Sequence, residues 1–315
     1  MSTPFSHFFT KINQISPLES NFTEVLEAIA LKPKTLYFRG KMPENVSKGP
    51  SQKPEQTRTT RPKTVAIVGS RHNTKYGEEV AYKLAYELGK RGVVVVSGLA
   101  YGIDTIAHQG CLDGGGITVA VLGTAIDNIY PKPHEAVARK IIEQNGTIIS
   151  EYAPGTHPFP KTSFLERNRL ISGLSDIVVV VEAAERSGSL NTATHAIEQG
   201  KTVFAVPGNI TNPYSQGCNK LIKQGAIPYT EPDDILRDLF PDMYSRRHKK
   251  HKQLNLIGDT DVETKILQGL ANGLRKGEEI MNATHLPPEV FNETITLLEI
   301  KSRVRPLGMN NWSLI

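Results

Sequence analysis

From Thr64 to about Asp238 the chain alternates short apolar runs with longer amphipathic stretches. The runs TVAIV from Thr64, VVVVS from Val93, ITVAVL from Ile117, TIIS from Thr147, IVVVVE from Ile177 and VFAV from Val203 are continuously apolar rather than alternating. That pattern belongs to strands buried on both faces. A further short strand is predicted at Ile227 to Tyr229. The intervening stretches are long enough for crossover helices, so the pattern predicts an α/β fold: a parallel sheet covered by helices on both sides.

The same pattern divides the chain. Residues 1–48 carry an amphipathic helix around Phe22 to Leu31 and a short strand at Thr35 to Phe38. Residues 49–63 are a Pro/Lys/Thr-rich linker, 64–242 the main domain, and 243–260 a basic linker containing the run Arg246 to Lys252. In residues 261–315, VETKILQGLANG, RKGEEIMNATHL and PPEVFNETITLLEIKSRV predict three helices, and VRPLGMNNWSLI a two-stranded wing, the pattern of a small winged-helix domain. Glu289, Glu293 and Glu299 on its third helix repel phosphate, so a protein contact is as good a reading as duplex DNA. The basic linker is read as a solvated connector, with a weak, salt-sensitive DNA contact as the alternative.

Composition narrows the classes. The net charge of +5 permits a polyanionic partner without demanding one. Two cysteines, Cys111 and Cys218, exclude a disulfide framework and a zinc cluster. No run reaches the roughly 18 apolar residues that span a bilayer, and the start MSTPFSHFFTKINQ lacks signal-peptide order, so a cytoplasmic protein with no membrane partner is expected.

Ligands of open parallel sheets sit beyond the carboxyl ends of the strands, so the loops there carry the chemistry. After the first run comes Gly69-Ser70-Arg71, a tight turn with two phosphate-gripping side chains. SGLAYGID, Ser97 to Asp104, sets Asp104 in a first helical turn, where a capping acid is the ordinary reading and backbone approach to a ligand the alternative. Arg186-Ser187-Gly188-Ser189-Leu190-Asn191-Thr192 opens a helix with small residues whose N–H groups favour an oxyanion. G-x-G-x-x-G is missing from the first turn and G-x-x-x-x-G-K-[ST] from the whole chain, so no nucleotide cofactor is expected.

PFPKTSFLERNRLISGLS supplies cations. Lys161, Arg167 and Arg169 interleave with Phe159 and Phe164, a mixture that suits single-stranded nucleic acid. The ordinary reading is that the rings are core and that Glu166 pairs with an arginine at helical spacing.

Taken together, VAIVGSR at Val65, SGLAYGID at Ser97, RNRLISGLS at Arg167, ERSGSLNTA at Glu185, VFAVPGNI at Val203 and GCNKLIKQGA at Gly217 closely resemble the DNA processing protein A (DprA/Smf) family. The resemblance implies an extended Rossmann-like domain that binds single-stranded DNA, forms a homodimer, and protects incoming DNA and loads RecA during natural transformation, without being an enzyme. By position it implies that Gly69, Ser70 and Arg71 grip phosphate, Lys161 contacts the backbone, Phe164 stacks a base, and Ser187, Gly188 and Ser189 cradle a second phosphate. Arg167, Asn168 and Arg169 belong to the same motif. One of the two arginines is expected to touch the strand, and either can instead pair with a carboxylate such as Glu182 or Glu151. Family members usually carry Phe-Pro before the RNR run. Phe164-Leu165 here predicts an earlier helix start and a re-aimed ring. The first segment also looks shorter than the helical domain with which many members begin.

Two alternatives stay open. One is a Rossmann-like phosphoribohydrolase of nucleoside monophosphates, although the Pro-Gly-Gly-x-Gly-Thr loop of those enzymes is replaced by Ser187 to Thr192. Its candidate acid–base groups are His108, Asp104 and Glu182. The other is a sensor of small nucleotides, which needs a closed pocket rather than an open groove.

Overall fold

The computed structural model describes residues 11–44, 61–241 and 256–314. They separate into two units, Met1–Leu239 and Phe240–Ile315, each with its own hydrophobic core. The first unit is a single nine-stranded sheet. Its strands are β1 (Asn13–Ile15), β2 (Leu36–Gly40), β3 (Thr64–Val68), β4 (Val94–Ser97), β5 (Thr118–Leu122), β6 (Thr147–Ser150), β7 (Ile177–Val180), β8 (Thr202–Ala205) and β9 (Ile227–Pro228), in the order β1-β2-β6-β5-β4-β3-β7-β8-β9. All neighbours from β6 to β9 pair in parallel. At the other edge β2 runs antiparallel to β6, and β1 antiparallel to β2.

A helix follows each parallel strand: α1 (Lys75–Lys90), α2 (Ile103–Asp113), α3 (Glu135–Glu143), α4 (Pro160–Gly173), α5 (Gly188–Glu198), α6 (Gln216–Lys223) and α7 (Pro232–Leu239). They cover both faces, which explains the unbroken apolar runs. Val119 and Val121 of β5 enter one core cluster, while Ala120 enters a second with Leu122, because successive strand side chains point to opposite sides. The chain winds outward from β3 in one direction through β4, β5 and β6, then returns beside β3 as β7 and winds the other way. The gap between the loops after β3 and β7 is therefore the topological switch point.

The amino-terminal segment differs from its expectation. Phe22 to Leu31 forms no α-helix; the structure has two 3-10 turns, Pro17–Glu19 and Glu24–Ala28. Phe22, Leu26 and Ile29 are buried as their spacing predicts. However, the Thr23 hydroxyl donates to the Pro17 carbonyl at 2.7 Å and the Thr23 N–H to the Ser20 carbonyl at 3.0 Å, turn bonds that compete with a helical ladder. β1, three residues long, is too short to show a period in the sequence. The predicted linker up to residue 60 and the basic run Arg246 to Lys252 lie outside the described residues.

The second unit holds α8 (Asp261–Ala271), α9 (Gly277–Thr284), α10 (Pro288–Ile300) and a two-stranded antiparallel sheet of β10 (Val304–Gly308) and β11 (Asn311–Leu314), the arrangement of a winged helix. Ile266, Leu270, Ile280, Phe291, Ile295 and Leu298 fill its core. Its buried Glu263 carboxylate is held by Lys301 Nζ at 2.6 Å and by the Asp259 N–H at 2.7 Å. Glu289, Glu293 and Glu299 are exposed on α10.

Candidate nucleic-acid interface

An open cleft of about 470 Å³ lies at the switch point. One wall is the loop Gly69 to His72 after β3, the opposite wall the turn Ala184 to Ser189 after β7, and the floor is the face of α4 from Phe164 to Ile171. Loops separated by more than a hundred residues meet here because the chain reverses its winding direction between β3 and β7.

The first wall is built by a hydroxyl. Ser70 Oγ accepts from the His72 N–H at 3.1 Å and donates to the His72 carbonyl at 2.9 Å, closing a local turn. Ser70 is thereby buried while Arg71 is exposed. The turn rests on Gly102, whose φ of 76° and whose place only 2.3 Å from the Ser70 carbonyl, measured from the position a Cβ would take, both require glycine. Arg71 has no carboxylate partner among the described residues. Its guanidinium carbon sits 5.7 Å from the centroid of the Phe164 ring, within cation–π range.

α4 starts at Pro160, in the first turn where proline fits, and runs unbroken through Phe164-Leu165. Ser163, Arg167, Leu170 and Ile171, with Leu174 just past the helix end, are buried at helical spacing, and Asn168 and Ser172 are buried beside them, so Arg167 belongs to the inward stripe. Arg167 Nη1 donates to the Gly98 carbonyl at 2.7 Å and to the Val121 carbonyl, and Nε to Asn168 Oδ1 at 3.3 Å. Gly98 makes room for it: a Cβ there would stand 2.6 Å from Nη1. Burial pushes the Arg167 guanidinium down to about 10, Asp104 holds it up against that loss, and Arg71 lowers it further. It remains a cation at neutral pH. The Asp104 carboxyl is raised by its own burial, opposed by Arg167 and by the N–H groups of Ala100 and Gly98.

The second wall is a helix start. Ser187 caps α5, its hydroxyl 2.8 Å from Ser189 Oγ, and a Cβ on Gly188 would meet open space. Asn168 Nδ2 reaches the Gly188 carbonyl at 3.3 Å and Asn191 Oδ1 at 3.1 Å, tying α4 to this turn. The cleft thus gathers Gly69, Ser70, Arg71, Phe164, Arg167, Asn168, Ser187, Gly188 and Ser189. Arg169 does not line it. Its Nη2 bonds both Glu151 oxygens, at 2.9 and 2.8 Å, one of the pairings its position allowed. Lys161 lies in the first turn of α4, its side chain outside the described residues, and Phe159 is exposed at the helix entry.

The structure adds His72 and Arg186 to the walls. His72 is one position beyond the Gly69-Ser70-Arg71 turn, and Arg186 opens the third loop as the sequence marks it, although neither stood among the expected phosphate contacts. Arg186 is exposed and has no carboxylate partner among the described residues. Each of the three acid–base candidates is engaged by groups of the fold. Glu182 accepts from the Thr74 N–H at 2.8 Å and the Thr74 hydroxyl at 2.6 Å, at the start of α1. His108 is fully buried, its Nδ1 2.7 Å from Thr118 Oγ1. Asp104 borders the cleft but accepts from the Gly98 N–H at 3.1 Å.

A family model described as DNA recombination-mediator protein A matches residues 13–240. Protein Smf of Escherichia coli K12 is 49% identical over 175 residues, covering 56% of this chain and 46% of that relative, so the chain spans about half of that relative's length. The X-ray structure of DNA processing protein A from Streptococcus pneumoniae superposes with a TM-score of 0.62 at 38% identity, covering 74% of this chain and 76% of that one. A solved structure of DNA processing protein A from Helicobacter pylori, described for its single-stranded DNA binding mode, also scores 0.62, at 32% identity over 75% of this chain and 98% of that one.

Proposed function

The chain belongs to the DNA recombination-mediator protein A family, and from that premise we propose that its switch-point cleft holds single-stranded DNA, which the protein protects and hands to RecA during natural transformation. The observation that carries this reading is the juxtaposition of an exposed guanidinium, an aromatic face and a helix start around one open cleft: Arg71 5.7 Å from the Phe164 ring, opposite the turn capped by Ser187. Arg71 and the Gly69-Ser70 backbone take one phosphate, and the Ser187 to Ser189 turn takes the next, where the positive end of the α5 dipole favours an anion. Phe164 stacks a base, Lys161 and Arg186 add backbone contacts, and the buried charge of Arg167 raises the potential of the floor. Asn168 and Arg169 serve by fixing α4 against the turn after β7 and against Glu151. A duplex has no free base face for Phe164.

The protein works in the cytoplasm as a homodimer. For the second copy we propose the β9 edge of the sheet, where exposed Ile197 and Ile227 flank a groove of about 300 Å³. None of the described helices is long and apolar enough to cross a membrane.

The test is a titration of labelled oligo-dT and of duplex of the same length at increasing salt. Tighter, steeply salt-dependent binding of oligo-dT is expected, and equal affinity for both overturns the reading. RecA loading is read separately, as faster nucleation of RecA filaments on strands coated with single-strand-binding protein; an unchanged rate removes RecA from the proposal.

A further inference from the structure

Next to Phe164, the loop after β5 presents a second aromatic surface. The Phe164 ring rests over Gly123, where a Cβ would stand 2.5 Å from its Cδ1. Tyr130, later in that loop, places its ring centroid 5.6 Å from the Phe164 centroid, inclined by 41°. Tyr130 remains 51% exposed and is not part of the cleft lining, so one side of its ring meets Phe164 and the rest faces solvent. Large aromatic rings normally bury most of their area. Lys132, two residues on, is exposed and has no carboxylate partner among the described residues. The loop's own carboxylate, Asp127, is engaged by the Gly155 N–H at 2.9 Å.

We infer that Tyr130 is a second base-stacking platform, taking the base next to the one on Phe164, with Lys132 on the adjoining phosphate, so that the bound strand leaves the cleft across the carboxyl end of β5. The inference rests on the reading of the cleft as a single-strand site and gives that site a direction: from the Ser187 turn, past Arg71 and Phe164, to Tyr130. Adjacent aromatic faces in a basic groove are the arrangement by which single strands are held without regard to sequence. The phenol oxygen plays no part, because stacking uses the ring.

The experiment is an abasic walk: oligo-dT with one abasic site moved along its length, titrated against wild type, Tyr130→Ala, Tyr130→Phe and Phe164→Ala. Wild type shows two neighbouring positions at which base loss weakens binding. Tyr130→Ala binds intact oligo-dT about 5- to 150-fold more weakly and keeps sensitivity at one position only. Phe164→Ala keeps the other, and Tyr130→Phe behaves as wild type. Lys132→Gln lowers the magnitude of the salt slope by about 0.7. Tyr130→Ala with unchanged affinity overturns the inference. So does loss of both sensitive positions together, which makes Tyr130 only a prop for Phe164. Wild type that ignores oligo-dT overturns the single-strand reading itself, and is thereby told apart from failure of the platform alone. Thermal unfolding of each variant confirms that exposed Tyr130 is dispensable for the fold.

Discussion

Arg71→Glu tests the first wall of the cleft most directly. The Arg71 side chain is exposed and has no carboxylate partner among the described residues; its guanidinium lies 5.7 Å from the Phe164 ring centroid and repels that of Arg167. Losing an exposed cation–π contact costs folding about 0.5–1 kcal/mol, so the unfolding midpoint barely moves. Binding behaves differently. A hydrogen bond to a charged group contributes about 1.5–3 kcal/mol, and like charges 4 Å apart repel by about 1 kcal/mol even in bulk water. Together these weaken oligo-dT binding by about two to three orders of magnitude. One phosphate contact fewer also lowers the magnitude of the salt slope by about 0.7. Fluorescence anisotropy of labelled oligo-dT across a salt series reads both quantities. A folded variant with unchanged affinity and slope removes Arg71 from the site and refutes the phosphate-gripping loop.

Three further outcomes follow from the packing. Gly98→Ala drives a methyl to within 2.6 Å of Arg167 Nη1 and should cost about 1–3 kcal/mol in urea unfolding, with weakened binding; unchanged stability means that Arg167 is not pinned beneath the cleft. Arg169→Met strands Glu151 without the Nη2 that bonds both its oxygens and should cost about 1–3 kcal/mol, while oligo-dT affinity, measured well below the unfolding midpoint, stays within a factor of about three; a large affinity loss with a change in salt slope makes Arg169 a strand contact. Burial pushes His108 down from 6.5 to about 3, with His134 and Arg167 adding to the shift. The unfolded chain therefore binds this proton between about pH 6.5 and 3 while the folded protein does not. Stability falls by up to about 1.4 kcal/mol per pH unit as the pH drops through that window. His108→Gln should flatten that decline in acid unfolding titrations, and an identical profile shows that another group sets it.

The strands, their parallel pairing and the three loops of interest were legible because they rest on local rules. A doubly covered strand must be apolar on both faces, and a loop facing an anion must be small and rich in N–H groups. Phe22 to Leu31 shows the limit of such rules: the apolar spacing marks burial correctly, yet hydroxyl-to-carbonyl bonds at Thr23 decide between helix and tight turn. The arginines show a second limit. In sequence Arg167 and Arg169 are equivalent members of one cluster. Helical spacing from Ser163 to Leu174 sets Arg167 on the inward stripe, but the carbonyls that receive it come from Gly98, just past β4, and Val121 of β5.

The order of residues by itself determined the parallel sheet, the winged-helix tail and the chemistry of each loop, because periodicity and composition act over a few residues. Only the tertiary structure decided which loops share a cleft, which arginine lies beneath it, and that Tyr130 stands beside Phe164. Those outcomes depend on where the sheet reverses its winding and on contacts between segments far apart in the chain, which no local pattern records.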